Sequence, residues 1–253
     1  MNYFFLLGGK DLEMITIREM LEREGISFAD RELRWDNAEL NAYQEELDQY
    51  GNQPDIRIYG IELRSGEESS YTNYTLIDHH NEYADRPAAL AQVAEILNIP
   101  LSRYEELVAA NDSHYIPGMQ ALGATLEEIR EIRLRDRAAQ CVTARDEELA
   151  EKAIAGQRCL AGDLQVVYSE TPRFSPICDR LYPYKKLLVY TNTEWMYYGE
   201  AICQVIALFP GEKASGILYH GGGVNGFTGI ASGSRTKEQI RQMIEQIIHT
   251  ITH

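Results

Sequence analysis

Long hydrophobic runs are scarce in this chain. Its longer apolar runs, such as AICQVIALF at Ala201–Phe209, fall well short of the roughly 20 residues that a membrane-spanning helix needs. The first residues, MNYFFLLGGKDLEM, carry no basic group ahead of the apolar stretch and soon reach Lys10 and Asp11. That pattern is untypical of a secretory signal. We therefore expect a protein that has no membrane partner.

Cysteine is also scarce, and its spacing is irregular. The chain has four cysteines and no CxxC pair: Cys141, Cys159, Cys178 and Cys203. A disulfide scaffold or a structural zinc site would need closer and more regular spacing. The pattern favours a reduced, cytoplasmic protein.

Basic residues are few relative to acidic ones. There are 24 Lys and Arg against 39 Asp and Glu, which gives a net charge of −15. Duplex DNA is bound largely through basic surfaces that displace its counterions, so we expect no duplex DNA partner. A small nucleotide or a short single-stranded oligonucleotide, held by a local basic site, stays open. The length of 253 residues and the 44% hydrophobic content suit one large domain or two ordinary ones.

Strand and helix patterns alternate along the first half. Short apolar runs predict four strands, at NYFFLL, ISFAD, DIRIYGIEL and YTLIDHH. Amphipathic or polar runs between and after them predict four helices: DLEMITIREMLEREG, NAELNAYQEELDQYG, RPAALAQVAEILNI and PLSRYEELVAAND. Such alternation is typical of βαβ units. The predicted fold class is α/β, with an N-terminal, mainly parallel sheet flanked by helices.

The second half begins with a highly charged helical stretch from about Thr125 to Ala155. It is either a solvated helical surface or a connector between two lobes. Beyond it, strands are predicted at DLQVVYSE, LLVYTN, AICQVIALF and ASGILYHG, followed by a closing helix TKEQIRQMIEQIIHTI. We predict a domain at 1–124, a helical connector at 125–158 and a smaller C-terminal α/β domain at 159–253.

Polar residues cluster where predicted strands and helices of the first half end. They are Asp11 and Glu13, Glu62, the run Asp78, His79 and His80, and Asp112 with His114. Ligands of open α/β sheets bind beyond the carboxyl ends of the strands, so these side chains are expected to converge. Converging carboxylates must take up protons or bind cations. Carboxylates with one or two imidazoles suit Mn²⁺ best, with Mg²⁺ as the alternative.

The alternative to a metal site is that these residues have only local structural roles. Asp11 and Glu13 could simply carry favourable negative charge at the start of a helix. The two histidines could form a polar turn that ends a strand, and a glutamate at a strand end is usually solvated.

One of these segments is recognisable. The run YTLIDHHNEY at Tyr74–Tyr83 resembles the name-giving motif of the DHH phosphoesterase superfamily. That superfamily includes single-strand exonucleases, phosphodiesterases of nano-RNA and cyclic dinucleotides, and manganese-dependent pyrophosphatases. Asp11 and Glu13 stand where it has a first-strand Asp-x-Asp, and Glu62 stands where it has a bridging aspartate. Asp112 resembles the aspartate of a later motif. The run YHGGGVNGFTGI at Tyr219–Ile230 resembles the glycine-rich stretch of the companion DHHA1 substrate-binding domain.

The resemblance implies a metal-dependent phosphoesterase that hydrolyses a phosphodiester or phosphoanhydride in a small nucleotide. The metal ligands would be Asp11, Glu13, Glu62, His79 and Asp112. Asp78 would orient His79 from behind, His80 would contact the phosphate or protonate the leaving group, and His114 is a further catalytic candidate. The substrate would be held by His220, Gly221, Gly222, Gly223 and Asn225. A homodimer is a further expectation.

The chain departs from the superfamily pattern at several positions. Leu7 replaces a histidine of the first motif, Glu13 and Glu62 replace aspartates, and Val224 replaces the histidine that ends the glycine-rich motif. These changes keep an alternative open, a catalytically degenerate protein that binds nucleotides or partner proteins. A pyrophosphatase is a third, more remote hypothesis.

Overall fold

The computed structural model describes residues 2–35, 37–64, 71–221 and 226–253. They form two compact units, Met1–Cys141 and Val142–His253. Both units mix helices with a sheet, so the α/β fold class predicted from the sequence is confirmed. In the described part of the chain, no helix is both long enough and apolar enough to cross a membrane.

The first unit is built on a four-stranded sheet in the order β2-β1-β3-β4. All its neighbouring strands run parallel. The central strand β1 ends in Phe5, Leu6 and Leu7, which are fully buried, as expected of a strand covered on both faces. The strand bounds are β1 Asn2–Leu7, β2 Ser27–Asp30, β3 Ile56–Ile61 and β4 Tyr74–Ile77.

In the described residues of this unit, five α-helices accompany the sheet. The first begins after Asp11, whose side chain accepts a hydrogen bond from the backbone N–H of Met14, and it ends at Gly25 in the left-handed conformation; both are standard helix-end signals. It packs against the third, fourth and fifth helices. The helix bounds are α1 Leu12–Glu24, α2 Gln44–Tyr50, α3 Ala89–Leu97, α4 Arg103–Ala121 and α5 Leu126–Ala139.

The second unit contains a six-stranded mixed sheet. Its strands are β5 Arg158–Leu160, β6 Leu164–Tyr168, β7 Lys186–Tyr190, β8 Trp195–Gly199, β9 Leu218–Gly221 and β10 Phe227–Ile230. Their order is β5-β6-β7-β8-β10-β9. Among the described strands of this sheet, β6 and β7 form the one parallel pair. The helices are α6 Ala144–Ala155, α7 Ser175–Leu181, α8 Ile202–Ala207, α9 Pro210–Ala214 and α10 Lys237–Thr252.

The sequence predictions for this unit differ from the structure at several elements, including the two that follow. Ala201–Phe209 was expected to be a strand but contains α8. Ile202 and Val205 are buried three residues apart, which is helical spacing, but both are β-branched and mimic a strand. Conversely, β8 was not predicted. Its alternating burial, with Trp195 and Tyr197 inward, is the period-two pattern of a strand, which the dense aromatic composition obscured.

Candidate metal centre

The site lies at the carboxyl edge of the parallel sheet and is aligned by strand register. Leu7 of β1 is paired with Ile61 of β3, which is paired with Ile77 of β4. These three residues end their strands. Glu62 and Asp78 therefore follow at the same level on neighbouring strands, and the backbone ladder itself brings them side by side.

The loop between β1 and α1 passes close to β3. At Gly8 a Cβ atom would lie 2.2 Å from the carbonyl oxygen of Ile61, so only glycine fits there. The chain then reaches Asp11, which caps α1, and Glu13, whose Oε1 accepts a 2.9 Å hydrogen bond from the backbone N–H of Leu90. These bonds hold both carboxylates at the sheet edge.

Glu62 turns away from the end of β3. Its φ of 52° is in the left-handed region, which non-glycine residues rarely occupy. Its backbone N–H still donates to the carbonyl oxygen of Ile77 at 2.8 Å, and its side chain is 2% exposed. Such strained residues are concentrated at functional sites.

Asp78, His79 and His80 follow β4. The imidazole of His79 is buried among carboxylates, whereas that of His80 is 43% exposed. Asp78 Oδ1 accepts a 2.8 Å hydrogen bond from the backbone N–H of His80 and lies 3.2 Å from His80 Nδ1. The side-chain contact of Asp78 is thus with the second histidine, whereas the sequence hypothesis had it orient the first.

Asp112 comes from α4. The sequence interpretation ended this helix at about Ala110, but it continues to Ala121, with a kink at Tyr115 where φ is 55°. Asn111, the residue before Asp112, is hydrogen-bonded to α5, because Arg133 Nη1 donates to Asn111 Oδ1 at 2.9 Å. The same nitrogen donates to Asp136 Oδ2 at 2.7 Å. Asp112 is therefore presented from within a helix that is braced by α5.

Carboxylates from α1, from the end of β3 and from within α4 converge on His79, which follows β4. Its Nε2 lies 2.8 Å from Asp112 Oδ2, 3.1 Å from Glu62 Oε1 and 3.4 Å from Glu13 Oε2. Donor atoms of Glu62, His79, His80 and Asp112 all lie within 4.8 Å of one another. Asp11 is close enough for its pKa to respond to Asp112 and Glu62. The structure thus brings together Glu13, Glu62, His79 and Asp112, four of the five residues that the resemblance implied as metal ligands, and it buries the fifth, Asp11, at the start of α1.

Burial and mutual repulsion dominate the electrostatics of this cluster. Burial, reinforced by the nearby Asp112 and Glu62, raises the pKa of Asp11 to about 8. Burial likewise raises the pKa values of Glu13 and Glu62. Burial lowers the pKa of His79, but the surrounding carboxylates outweigh it and raise that pKa to about 12. Without a bound cation, the cluster therefore holds extra protons.

The geometry also meets the requirements of a cation site. Oε2 of Glu13, Oε1 of Glu62, Nε2 of His79 and Oδ2 of Asp112 are buried and have no aligned hydrogen-bond partner among the described residues. Buried polar atoms are normally satisfied, and these four face one another instead. Carboxylate oxygens with imidazole form a donor set that divalent cations accept. The cluster could therefore hold a divalent metal ion.

The other predicted site residues lie elsewhere in the fold or outside the described residues. His114 is on α4 with an exposed side chain and is not part of the cluster. His220 and Gly221 are in β9 of the second unit. Gly222, Gly223 and Asn225 lie outside the described residues. The roles assigned to these residues stay predictions.

Two features of the site were missed by sequence reasoning. The first is the support from α5, where Arg133, Asp136 and Arg137 are buried. Their spacing of three and four residues, in register with the buried Ile129 and Ile132, could have revealed an inward face. The second is Trp35, whose ring meets His80 edge to face with centroids 5.6 Å apart. No local pattern marked that contact.

Comparison with known proteins identifies the fold. No protein-family model matches the chain, and no curated protein matches it. Among solved structures, it superposes on a DHH-domain protein described as belonging to a family of ribosomal proteins, with a TM-score of 0.52. The match covers 98% of this chain and 87% of the other at 10% identity. The chain has the DHH-domain fold. The resemblance that the Asp-His-His run suggested is thus confirmed at the level of the fold.

Two further structures are similar to it more loosely. RecJ from Thermus thermophilus in complex with Mn²⁺ matches with a TM-score of 0.48 and 11% identity, over 98% of this chain and 52% of RecJ. A pGpG-specific phosphodiesterase from Vibrio cholerae matches with a TM-score of 0.47 and 14% identity, over 99% and 98% of the two chains.

Proposed function

We propose that this chain is a divergent DHH-type phosphoesterase that uses a divalent metal to hydrolyse a phosphodiester or phosphoanhydride bond in a small nucleotide. The observation that carries the proposal is the convergence of three carboxylates on His79 Nε2, within 2.8–3.4 Å. Buried carboxylates repel one another unless protons or cations intervene. A metal-assisted hydrolase uses such a cluster.

The proposed ligands are Asp11, Glu13, Glu62, His79 and Asp112. The imidazole of His79 favours Mn²⁺ over Mg²⁺, because Mg²⁺ prefers sites made of oxygen ligands alone. A bound divalent ion polarises phosphoryl oxygens and makes a bound water acidic enough to serve as a nucleophile near neutral pH.

His80 is the proposed contact to the phosphate. Its Nδ1 faces Asp78, and this contact is the main reason why the pKa of His80 is raised. A carboxylate at Nδ1 holds a proton there and favours the imidazolium form, which also carries a proton on Nε2. The imidazole is 43% exposed, which suits a group that meets substrate and passes a proton to the leaving oxygen.

The substrate class follows from charge and composition. A surface with a net charge of −15 disfavours long polyanions and favours a short single-stranded oligonucleotide, a cyclic dinucleotide or a mononucleotide. The glycine-rich segment that includes His220 and Gly221 is a proposed contact to the rest of the substrate. A cytoplasmic location and a homodimer also stay predictions.

The test is metal analysis followed by turnover assays. We expect purified protein to bind Mn²⁺ and to hydrolyse at least one of a 5′-phosphorylated diribonucleotide, a cyclic dinucleotide, a nucleoside diphosphate or pyrophosphate. His79→Ala should lower the rate by at least about 100-fold, and His249→Ala, an exposed histidine of α10, should leave it unchanged. No turnover with any substrate, or equal rates for the two variants, would contradict the proposal.

A second candidate function is nucleotide binding without catalysis. Leu7 stands where the superfamily has a histidine. Its buried hydrocarbon side chain has no donor atom that could bind a metal. A site short of one ligand could keep an ion and still fail to turn over. Tight binding of Mn²⁺ and a nucleotide by protein that hydrolyses nothing would favour this candidate.

A further inference from the structure

An exposed aromatic side chain lies beside the metal centre. Trp35 is 44% exposed. The other large apolar side chains that are exposed in the described part of the first unit are leucines. Its indole meets the His80 ring edge to face at 5.6 Å between centroids, and the His80 ring lies 4.3 Å from that of His79. One imidazole thus separates the indole from the proposed ligand His79.

The segment that carries Trp35 is tied to the loop that carries Asp11. Glu32 forms a 2.7 Å ion pair with Lys10, and its backbone N–H donates to Asp30 Oδ1 at 2.7 Å. The Tyr43 hydroxyl accepts from the backbone N–H of Arg31 and donates to the carbonyl oxygen of Leu7. Trp35 therefore follows a segment that is anchored at the same sheet edge as the cluster.

The indole also packs closely against the backbone at Gly9. At Gly9, where φ is +31°, a Cβ atom would lie 2.9 Å from Cζ2 of Trp35. A side chain at this position would push the ring away, so Gly9 leaves room for the indole two residues before Asp11. One part of the ring rests on this glycine and another part is open to solvent.

We propose that Trp35 is a stacking platform for a nucleobase of the substrate, next to the phosphate that His80 contacts. The inference rests on the proposed function and narrows its substrate class to phosphate esters that carry a base on the nucleoside adjoining the scissile phosphate. Every base presents a flat π-face, so an indole platform binds bases with little sequence preference. Inorganic pyrophosphate and abasic esters gain nothing from it.

Core packing does not explain Trp35. The other tryptophan, Trp195, is fully buried, as expected of a large apolar side chain that serves the core. Trp35 leaves 44% of its surface in water although its segment is well anchored. A large aromatic surface held open beside a polar cluster is the arrangement of a ligand site.

The kinetic test compares two substrates that differ only in the base. One is a 5′-phosphorylated diribonucleotide, and the other has the same backbone with abasic sugars. For the base-bearing substrate, Trp35→Ala should lower kcat/KM about 5- to 100-fold, mainly through KM, and Trp35→Phe should recover most of the loss. For the abasic substrate, neither variant should change kcat/KM.

Leu134→Ala is the matched control, because Leu134 of α5 is 53% exposed and lies outside the proposed platform. It should behave as the unsubstituted protein with both substrates. If Trp35→Ala leaves both substrates unaffected, or lowers kcat/KM for both by the same factor, the platform is overturned while the hydrolase assignment stands.

A binding measurement tests the platform without turnover. The chain has two tryptophans, of which Trp35 alone is exposed, so iodide should quench its fluorescence selectively. In Mn²⁺-loaded protein, a nucleoside monophosphate should protect Trp35 from iodide, and ribose 5-phosphate should not. Such protection in a protein that hydrolyses nothing would support the platform and contradict the hydrolase assignment. Equal protection by both ligands, or protection by neither, would overturn the platform.

Discussion

The carboxylate of Asp78 contacts His80 and leaves His79 to the other carboxylates. Its Oδ1 accepts a 2.8 Å hydrogen bond from the backbone N–H of His80 and lies 3.2 Å from Nδ1 of the same residue. Burial tends to raise the pKa of Asp78, but these contacts outweigh burial and lower it. Adjacent histidines therefore have separate surroundings, one inside the carboxylate cluster and one at its rim.

Asp78→Asn should separate metal binding from turnover. The amide keeps the size of the side chain but loses the charge that orients the His80 ring, so kcat should fall about 10- to 100-fold. Affinity for Mn²⁺, measured by titration calorimetry, should change little. Asp112→Asn is the comparison and should weaken Mn²⁺ binding strongly. Equal losses of Mn²⁺ affinity in both variants would instead place Asp78 among the metal ligands.

Asp11→Asn should stabilise the metal-free protein. The folded-state pKa of Asp11, about 8, exceeds the ordinary 3.8, so the folded state holds its proton more tightly than the unfolded state does. The stabilising contribution of this proton is complete below pH 3.8 and is lost as the pH rises through 8. Asparagine does not titrate and caps a helix as well as aspartate. At pH 7 we expect a gain of about 1–3 kcal/mol in the free energy of unfolding.

This prediction is measured by urea unfolding in EDTA at several pH values. The difference between Asp11→Asn and the unsubstituted protein should grow from pH 5 to pH 8. A constant difference would mean that Asp11 is ionised throughout, contrary to its burial beside Asp112 and Glu62. The same variant should bind Mn²⁺ more weakly, because it lacks one carboxylate.

Mn²⁺ should raise the melting temperature of the protein. A ligand that binds only the folded state adds about 2.7 kcal/mol of stability at 100 times its Kd. Binding should also release protons, because the metal displaces those that the cluster holds. Calorimetry in two buffers of different ionisation enthalpy measures that release. His79→Ala should abolish the thermal shift and His249→Ala should keep it; a shift that survives His79→Ala would place the ion elsewhere.

Asn111→Ala should weaken the metal centre from outside it. The variant removes the acceptor of a 2.9 Å hydrogen bond from Arg133, which costs about 1.5–3 kcal/mol for a bond to a charged group. Because Asn111 immediately precedes Asp112, affinity for Mn²⁺ should fall as well. Urea unfolding and calorimetry measure the two effects. Arg145→Met, which removes an exposed ion pair with Glu148, is the control and should cost less than about 0.5 kcal/mol.

The sheet edge could be predicted from sequence because its signals are local. The strands β1, β3 and β4 are apolar runs that stop at charged or polar residues, and parallel strands place such residues at one edge. Helix α1 was equally readable, since Asp11 and Gly25 mark its two ends. The convergence of Glu62 and His79 followed from these elements and the DHH resemblance together.

What could not be predicted depends on long-range contacts. Asn111 and Asp112 resemble a helix end in sequence, yet α4 continues through them while Arg133, 22 residues later, holds the Asn111 side chain. Likewise, Trp35 meets His80 across 45 residues of chain. Neither contact leaves a periodic signal, because each depends on how separate elements pack.

Leu7, Ile61 and Ile77 are paired across the sheet. Because each ends its strand, the positions of Glu62 and Asp78 at the sheet edge depend on the number of residues in each strand. The spacing of the site is therefore sensitive to insertions and tolerant of substitutions. One extra residue within β3 would turn Glu62 to the opposite face of the sheet, whereas an aspartate in its place would shorten the side chain and keep its direction. Exchange of one carboxylate for another at that edge is therefore compatible with the fold, provided that the strand lengths stay constant.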